Sequence, residues 1–304
     1  MLPFIDLGFF ELPLYGLMFL IGFLLALLMI KLLAPKVGVG KDDAIYASIY
    51  GCIGLLIGAK LLYFITKLPG IIRDFDIIVG MFEKSGINTW KLIEYFLSEW
   101  FGGMVFYGGL IGFCLGVIRY CHHFKVPLFS IADLYTPFLP FAHAFGRIGC
   151  FCAGCCYGIE YHGLFAIHFP YNEMSPELNT VERFPVQLLE ALLNFICFGV
   201  LLYLLKKNAS RSESERKLKQ GQLLGFYLAY YLVARTALEL LRGDAVRGKV
   251  GFLSTSQIIS ILLIPIAVYL ILARKKKVIF SGLGKMPVGE AASEAVLSDG
   301  EKNN

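Results

Sequence analysis

From Leu12 to Ala34 a single charged side chain, Lys31, interrupts an otherwise apolar run. A run of that length crosses the roughly 30 Å hydrocarbon layer of a bilayer as one helix. Comparable runs recur along the chain, and their positions predict about seven spans, at 13–34, 44–66, 102–121, 131–150, 187–205, 222–242 and 257–273. In hydrocarbon each backbone polar group must be satisfied within its own segment. The sequence therefore predicts an all-α, polytopic membrane protein. A soluble reading of the 304 residues fails on composition: 57% are hydrophobic and the mean hydropathy is +0.67, against roughly half apolar in soluble domains.

The net charge of +5 is distributed as topology demands, and no basic, aromatic-lined groove points to nucleic acid. Lys31, Lys36 and Lys41 follow the first span, and Arg119 and Lys125 follow the third. A basic stretch from Lys206 to Lys219 follows the fifth, and Arg274 to Lys277 follow the seventh. The segment before Pro13 has no Lys or Arg, and Phe151 to Phe184 has only Arg183. The positive-inside rule then puts the N-terminus outside and the C-terminus in the cytoplasm. Because no basic residue precedes the first run, it reads as a first span rather than a cleavable leader. The expected organisation is a membrane domain over 1–277 and a disordered cytoplasmic tail over 278–304. Within the domain, 67–100 reads as an amphipathic segment at the outer interface and 151–186 as an outer-face loop. No internal repeat is evident.

Ionisable groups inside the spans cost about 2.5–3.5 kcal/mol each on insertion scales, so they are functional candidates. The sixth span carries Arg235, Glu239 and Arg242, whose spacing places them on one helical face. They read either as a structural ion pair or as a cationic site with charge to spare for a lipid phosphate. The fourth carries Asp133, His143 and Arg147, the last two one turn apart. His143 reads as a packing hydrogen-bonder or a functional group, and Arg147 lies in the Gly-rich stretch Gly146–Gly149. Lys60 and Glu190 complete the set, Lys60 as a site residue or a snorkelling one. Cys150, Cys152, Cys155 and Cys156 are too compressed for an ordinary zinc or iron–sulfur ligand pattern. They read as packing, as a redox-sensitive pair or as a metal site, and no metal is assigned to the candidate site. Gly102, Gly103, Gly108 and Gly109 mark a close approach of helices or of a headgroup.

Five blocks carry a family resemblance: Tyr15–Phe19, Trp100–Gly112, Gly146–Gly158, Arg183–Glu190 and Arg235–Asp244. In order and spacing they resemble the prolipoprotein diacylglyceryl transferases of bacteria, over about residues 12–275. The resemblance implies a multi-pass plasma-membrane enzyme without a cofactor. It would move diacylglyceryl from phosphatidylglycerol to the lipobox cysteine of a prolipoprotein signal peptide, forming a thioether as glycerol phosphate leaves. Arg147 and Arg235 match arginines essential in that family and would take the phosphate, with Glu239 orienting Arg235 and Arg242 adding to the field. Tyr15 and Tyr231 match tyrosines near the lipid, and Gly108 and Gly109 fall in a substrate-binding block.

The chain departs from the family pattern at several positions. Tyr107 and Phe184 replace histidines, and Cys150, Ala153 and Cys155 stand where the signature has Asn, Asn and Glu. His143 is then the candidate base by position. Tyr107 can serve only if the arginines depress a phenol whose ordinary pKa is about 10. The altered signature leaves two alternatives: a phosphoglyceride-dependent transferase with another acceptor, and a non-catalytic lipid-binding or thiol-sensing membrane protein.

Overall fold

The computed structural model describes residues 4–6, 8, 11–84, 90, 93, 94, 98, 103–169, 179–211, 215–243, 249, 250 and 253–272. The described chain is mostly helical and forms two compact units. One runs up to Ala44 and resumes at Phe129, and the other is Ile45–Leu128. The tail after 278 lies outside the described residues.

In the first unit a short hairpin, β1 (Phe4–Asp6) with β2 (Glu11–Pro13), leads into α1, Leu14–Leu33. Pro13 in an extended conformation starts the helix, and a 3-10 turn, Ala34–Val37, closes it at Gly38, whose φ of 78° only glycine adopts without strain. The buried residues of α1, Gly22, Ala26, Ile30 and Leu33, share one stripe, while Phe19, Leu24, Leu28 and Leu32 are exposed. Large apolar side chains facing outward on a helix of this length suit a lipid-facing surface. Gly22 lets α1 close on Phe145 of the helix beneath it.

That helix is not the single fourth span the sequence predicts. A short helix, α4 (Leu128–Tyr135), is separated from α5 (Phe138–Ala153) by Thr136 and Pro137. The physical reason is Pro137, which disfavours helical geometry in the residue before it and donates no N–H. Asp133 therefore sits on α4, where its carboxylate accepts the Gly221 N–H at 2.6 Å and fixes the start of α7. α5 packs between α1 and α6, Val186–Ala209. Its contact with α6 is aromatic, through Phe141, Phe145, Phe195 and Phe198, with ring centroids 4.8–6.0 Å apart. α7 (Gln222–Glu239) packs on α8 (Thr255–Leu272), which follows a second hairpin, β3 (Lys249–Val250) with β4 (Leu253–Ser254).

In the second unit α2 belongs to a helix spanning Lys41–Lys84, and α3 spans Phe106–Phe124. The predicted second span, 44–66, lies within this helix, which continues through Pro69 to Lys84. The first part of the 67–100 segment is thus helical. Gly54 and Gly58 of α2 meet Gly108 and Gly112 of α3 backbone to backbone, and a Cβ at any of the four would overlap the opposing chain. The close approach predicted at Gly108 is therefore one of helix on helix. Lys60 Nζ donates to the Gly103 carbonyl at 3.1 Å rather than extending freely.

Among the described residues, three helical segments are long and apolar enough to cross a membrane: Leu14–Val37, Lys41–Gly70 and Val186–Ala209. Gln257–Leu272 is a shorter apolar helix.

Candidate functional site

The site grows from the middle of α5. His143 and Arg147 lie one turn apart, and the Arg147 Nε–H points at His143 Nε2, 3.3 Å away. The same guanidinium nitrogen lies 3.0 Å from Oε1 of Glu190, which projects from the second turn of α6. Glu190 Oε1 is also 3.3 Å from His143 Nε2. The imidazole thus has two settings. Neutral, it accepts from Arg147; protonated, it donates to Glu190.

A second arginine reaches Glu190 from outside α7. The sequence places Arg242 on one helical face with Arg235 and Glu239, but α7 ends at Glu239. Arg242 instead lies where the chain bridges to Gly158, held by the Ile159 N–H to Leu241 O and the Gly243 N–H to Tyr157 O bonds. Gly158 and Gly243 permit this crossing, because a side chain on either would overlap a neighbouring backbone carbonyl. The turn puts Arg242 Nη1 3.8 Å from Glu190 Oε2. The side chains of Arg242 and Glu190 are only 2% and 3% exposed. Arg235 and Glu239 do pair as expected, at 2.7 Å, and Arg235 lies within electrostatic range of Glu190.

Glu190 is thus the centre of the cluster, a role sequence reasoning did not give it. Among the described residues, three guanidinium groups face two carboxylates in this cluster. Taking charges out of water costs several kcal/mol per ion, and pairing offsets most of it only with good geometry. Removing one partner of such a pair costs roughly 3–5 kcal/mol. Buried guanidinium groups held in place in this way suit an anion such as a phosphate.

Tyrosines border the cluster. Tyr231 stacks near His143 with ring centroids 6.4 Å apart, and Tyr15 at the start of α1 lies within electrostatic range of Arg147. Gly149 brings α5 against the Tyr15 backbone. Tyr107, Gly108 and Gly109 lie on α3 in the second unit; both glycines are buried there, and Tyr107 contacts Phe106.

The cysteines follow directly. α5 ends in a Schellman turn, in which Gly154 N–H bonds Phe151 O, Cys155 N–H bonds Cys150 O, and Gly154 takes φ 69°. Cys150, Cys155 and Cys156 are thereby gathered, with Sγ atoms within 4.8 Å of one another, while Cys152 is not part of the group. The Cys156 thiol is held below its ordinary range by hydrogen bonds from Cys150 and Cys155, with Arg242 and Arg147 adding to the effect. Beyond it, within Tyr157–Phe169, Tyr157 and Phe169 form a small core with Phe151 and Ile167, and Arg183 lies over the Tyr157 ring.

Apolar helices long enough to cross a bilayer, with a buried cluster of arginines and carboxylates in the first unit, define a helical membrane protein with an internal charged cluster. The family profile described as "Prolipoprotein diacylglyceryl transferase" matches residues 3–273. This chain belongs to that family. It is 31% identical over 255 residues, 84% of its length, to the phosphatidylglycerol–prolipoprotein diacylglyceryl transferase of Clostridium tetani, covering 90% of that protein. It is 32% identical over 250 residues to a transferase of the same name, numbered 2, from Clostridium perfringens, covering 82% of this chain and 86% of the other. The transferase of Streptococcus uberis is 30% identical over 274 residues, 90% of this chain and 95% of its own.

Proposed function

We propose that this protein transfers the diacylglyceryl group of phosphatidylglycerol to the lipobox cysteine of prolipoproteins in the bacterial plasma membrane. Family membership and the names of the relatives support the reaction. One structural observation carries it to particular residues: Arg147 and Arg242 are both held on the buried Glu190 carboxylate.

The donor presents a phosphodiester. As the acceptor sulfur attacks the glyceryl carbon, the carbon–oxygen bond breaks and its electron pair leaves on the phosphate. Charge grows there during the step, and cations fixed beforehand stabilise it without reorganising. Arg147 and Arg242 stand ready for it. Arg235, steadied by Glu239, adds its field, and Glu190 keeps the guanidiniums in place before substrate arrives. His143 takes the thiol proton, and the Glu190 carboxylate holds the resulting imidazolium. Tyr15 and Tyr231 line the approach of the lipid.

The topology that suits this chemistry has seven spans with the N-terminus outside and the C-terminus in the cytoplasm, so that 151–186 faces the acceptor peptide. The distribution of basic residues supports it.

The test is mass spectrometry of a lipobox peptide incubated with the purified protein and phosphatidylglycerol in detergent. A diacylglyceryl mass gain on the cysteine, absent with Arg147→Ala, supports the reading. A protein that binds phosphatidylglycerol but leaves the peptide unmodified contradicts it.

A further inference from the structure

The Schellman turn at the end of α5 does more than stop a helix. It folds Cys155 and Cys156 back onto Cys150, so three thiols from a seven-residue stretch face one point. All three are free cysteines. A zinc-type ion holds thiolates at about 2.3 Å, which sets its sulfurs a little under 4 Å apart. The observed separations, none above 4.8 Å, need only a small contraction. The loop is anchored from α6: Gln187 is fully buried, and its Nε2 donates to the Cys155 carbonyl at 2.8 Å. Its Oε1 has no hydrogen-bond partner among the described residues. Arg147 and Arg242 lie within electrostatic range of Cys156, so the net negative charge of a divalent ion with three thiolates is offset where it forms.

We propose that Cys150, Cys155 and Cys156 bind a zinc-type divalent ion whose fourth position receives the acceptor thiol. The identity of that fourth ligand rests on the transfer reading above; the three-thiolate site does not. A thiol that coordinates such an ion is deprotonated outright, and three protein ligands with one open position is the arrangement of catalytic rather than structural zinc. This chain replaces the family carboxylate at Cys155 and the family histidines at Tyr107 and Phe184, and the ion supplies the acid–base help those groups would give.

The step balances without an oxidant or reductant. The acceptor S–H bond breaks heterolytically, the sulfur coordinates the ion and the proton passes to His143. A sulfur lone pair then forms the carbon–sulfur bond as the glyceryl carbon–oxygen bond breaks toward phosphate. Glycerol phosphate leaves with that electron pair, and the neutral thioether, a weaker ligand than a thiolate, gives way to water.

Full-length protein, purified reduced and without chelators, is titrated with Cd²⁺ and followed by the ultraviolet thiolate-to-metal absorption, with elemental analysis of the untreated sample. One equivalent per chain is expected, lost in Cys155→Ser and Cys156→Ser and retained in Cys152→Ser. Chelation is expected to slow peptide modification at least about 100-fold, the contribution of a positioned base, with Zn²⁺ restoring it. No stoichiometric metal and no absorption band would overturn the proposal. So would a metal-free protein missing two thiols that a reductant restores, which makes the cluster a disulfide. Full transfer by metal-free enzyme overturns the catalytic half while leaving the transferase reading intact. Metal bound with no transfer by any preparation sinks the transferase reading and leaves the site standing.

Discussion

His143 and Glu190 share one proton-sensitive contact, and that contact gives the sharpest expectation at the scale of the residue. His143→Ala should lower kcat for peptide modification by about 100-fold or more, with KM for phosphatidylglycerol little changed. Retention of full kcat would remove His143 from the chemistry. Arg147→Lys should fail nearly as badly as Arg147→Ala. A lysine offers a point charge rather than the planar fork that reaches Glu190, His143 and a phosphate together. The pairs separated by one helical turn, His143 with Arg147 and Arg235 with Glu239, were readable from spacing alone. Glu190 was not, because its partners lie 43 and 52 positions away along the chain, and helical periodicity says nothing about partners on other helices. The sequence carried one usable sign, a carboxylate in an apolar helix that no i, i+4 cation neutralises.

At the scale of the element, glycines decide where backbones may touch. Gly112→Leu on α3 should destabilise the pairing with α2, because its side chain has only the Gly54 backbone to enter. Overpacking of this kind costs roughly 1–3 kcal/mol, so thermal unfolding in detergent should show a clear drop. An unchanged midpoint would mean the two helices do not pack there. Gly243 and Gly158 play the same part for Arg242. The sequence suggested that Arg242 continues the face of Arg235 and Glu239. The helix instead stops at Glu239 and the backbone crossing carries Arg242 to Glu190. A crossing of two segments distant in sequence leaves no local signal except its glycines. The break between α4 and α5 did leave one, in Pro137, which the hydropathy of 131–150 overrode in the reading.

At the scale of the whole molecule, hydropathy made the membrane class plain, since apolar runs of this length have few other uses. The segment 157–169 was legible only as a loop, because its small core depends on Tyr157, Phe169 and the Arg183 side chain meeting across the sequence. His162 belongs to this segment, and the hydrogen bonds its ring donates to Glu160 and then Glu182 raise its pKa. A raised histidine pKa stabilises below the unfolded value, and the benefit fades as pH climbs through the folded one. Proteolytic nicking near residue 162 should therefore increase on the alkaline side of the histidine range, and His162→Ala should remove that dependence. Nicking unaffected by pH would discard this contact as a brace. Reporter fusions should place 151–186 outside and the segment after Leu272 inside; the reverse would refute the orientation.

The account rests on Glu190 arranging the cations that receive the phosphate, so the decisive measurement is the rate of lipobox-peptide modification by Glu190→Gln, with thermal unfolding as the control for folding. Glutamine keeps the size of the side chain and removes its charge. A folded variant with kcat/KM for phosphatidylglycerol lowered about 100-fold, within the range that loss of one preorganised electrostatic group produces, is the predicted result. A folded variant within twofold of the wild type would contradict the account.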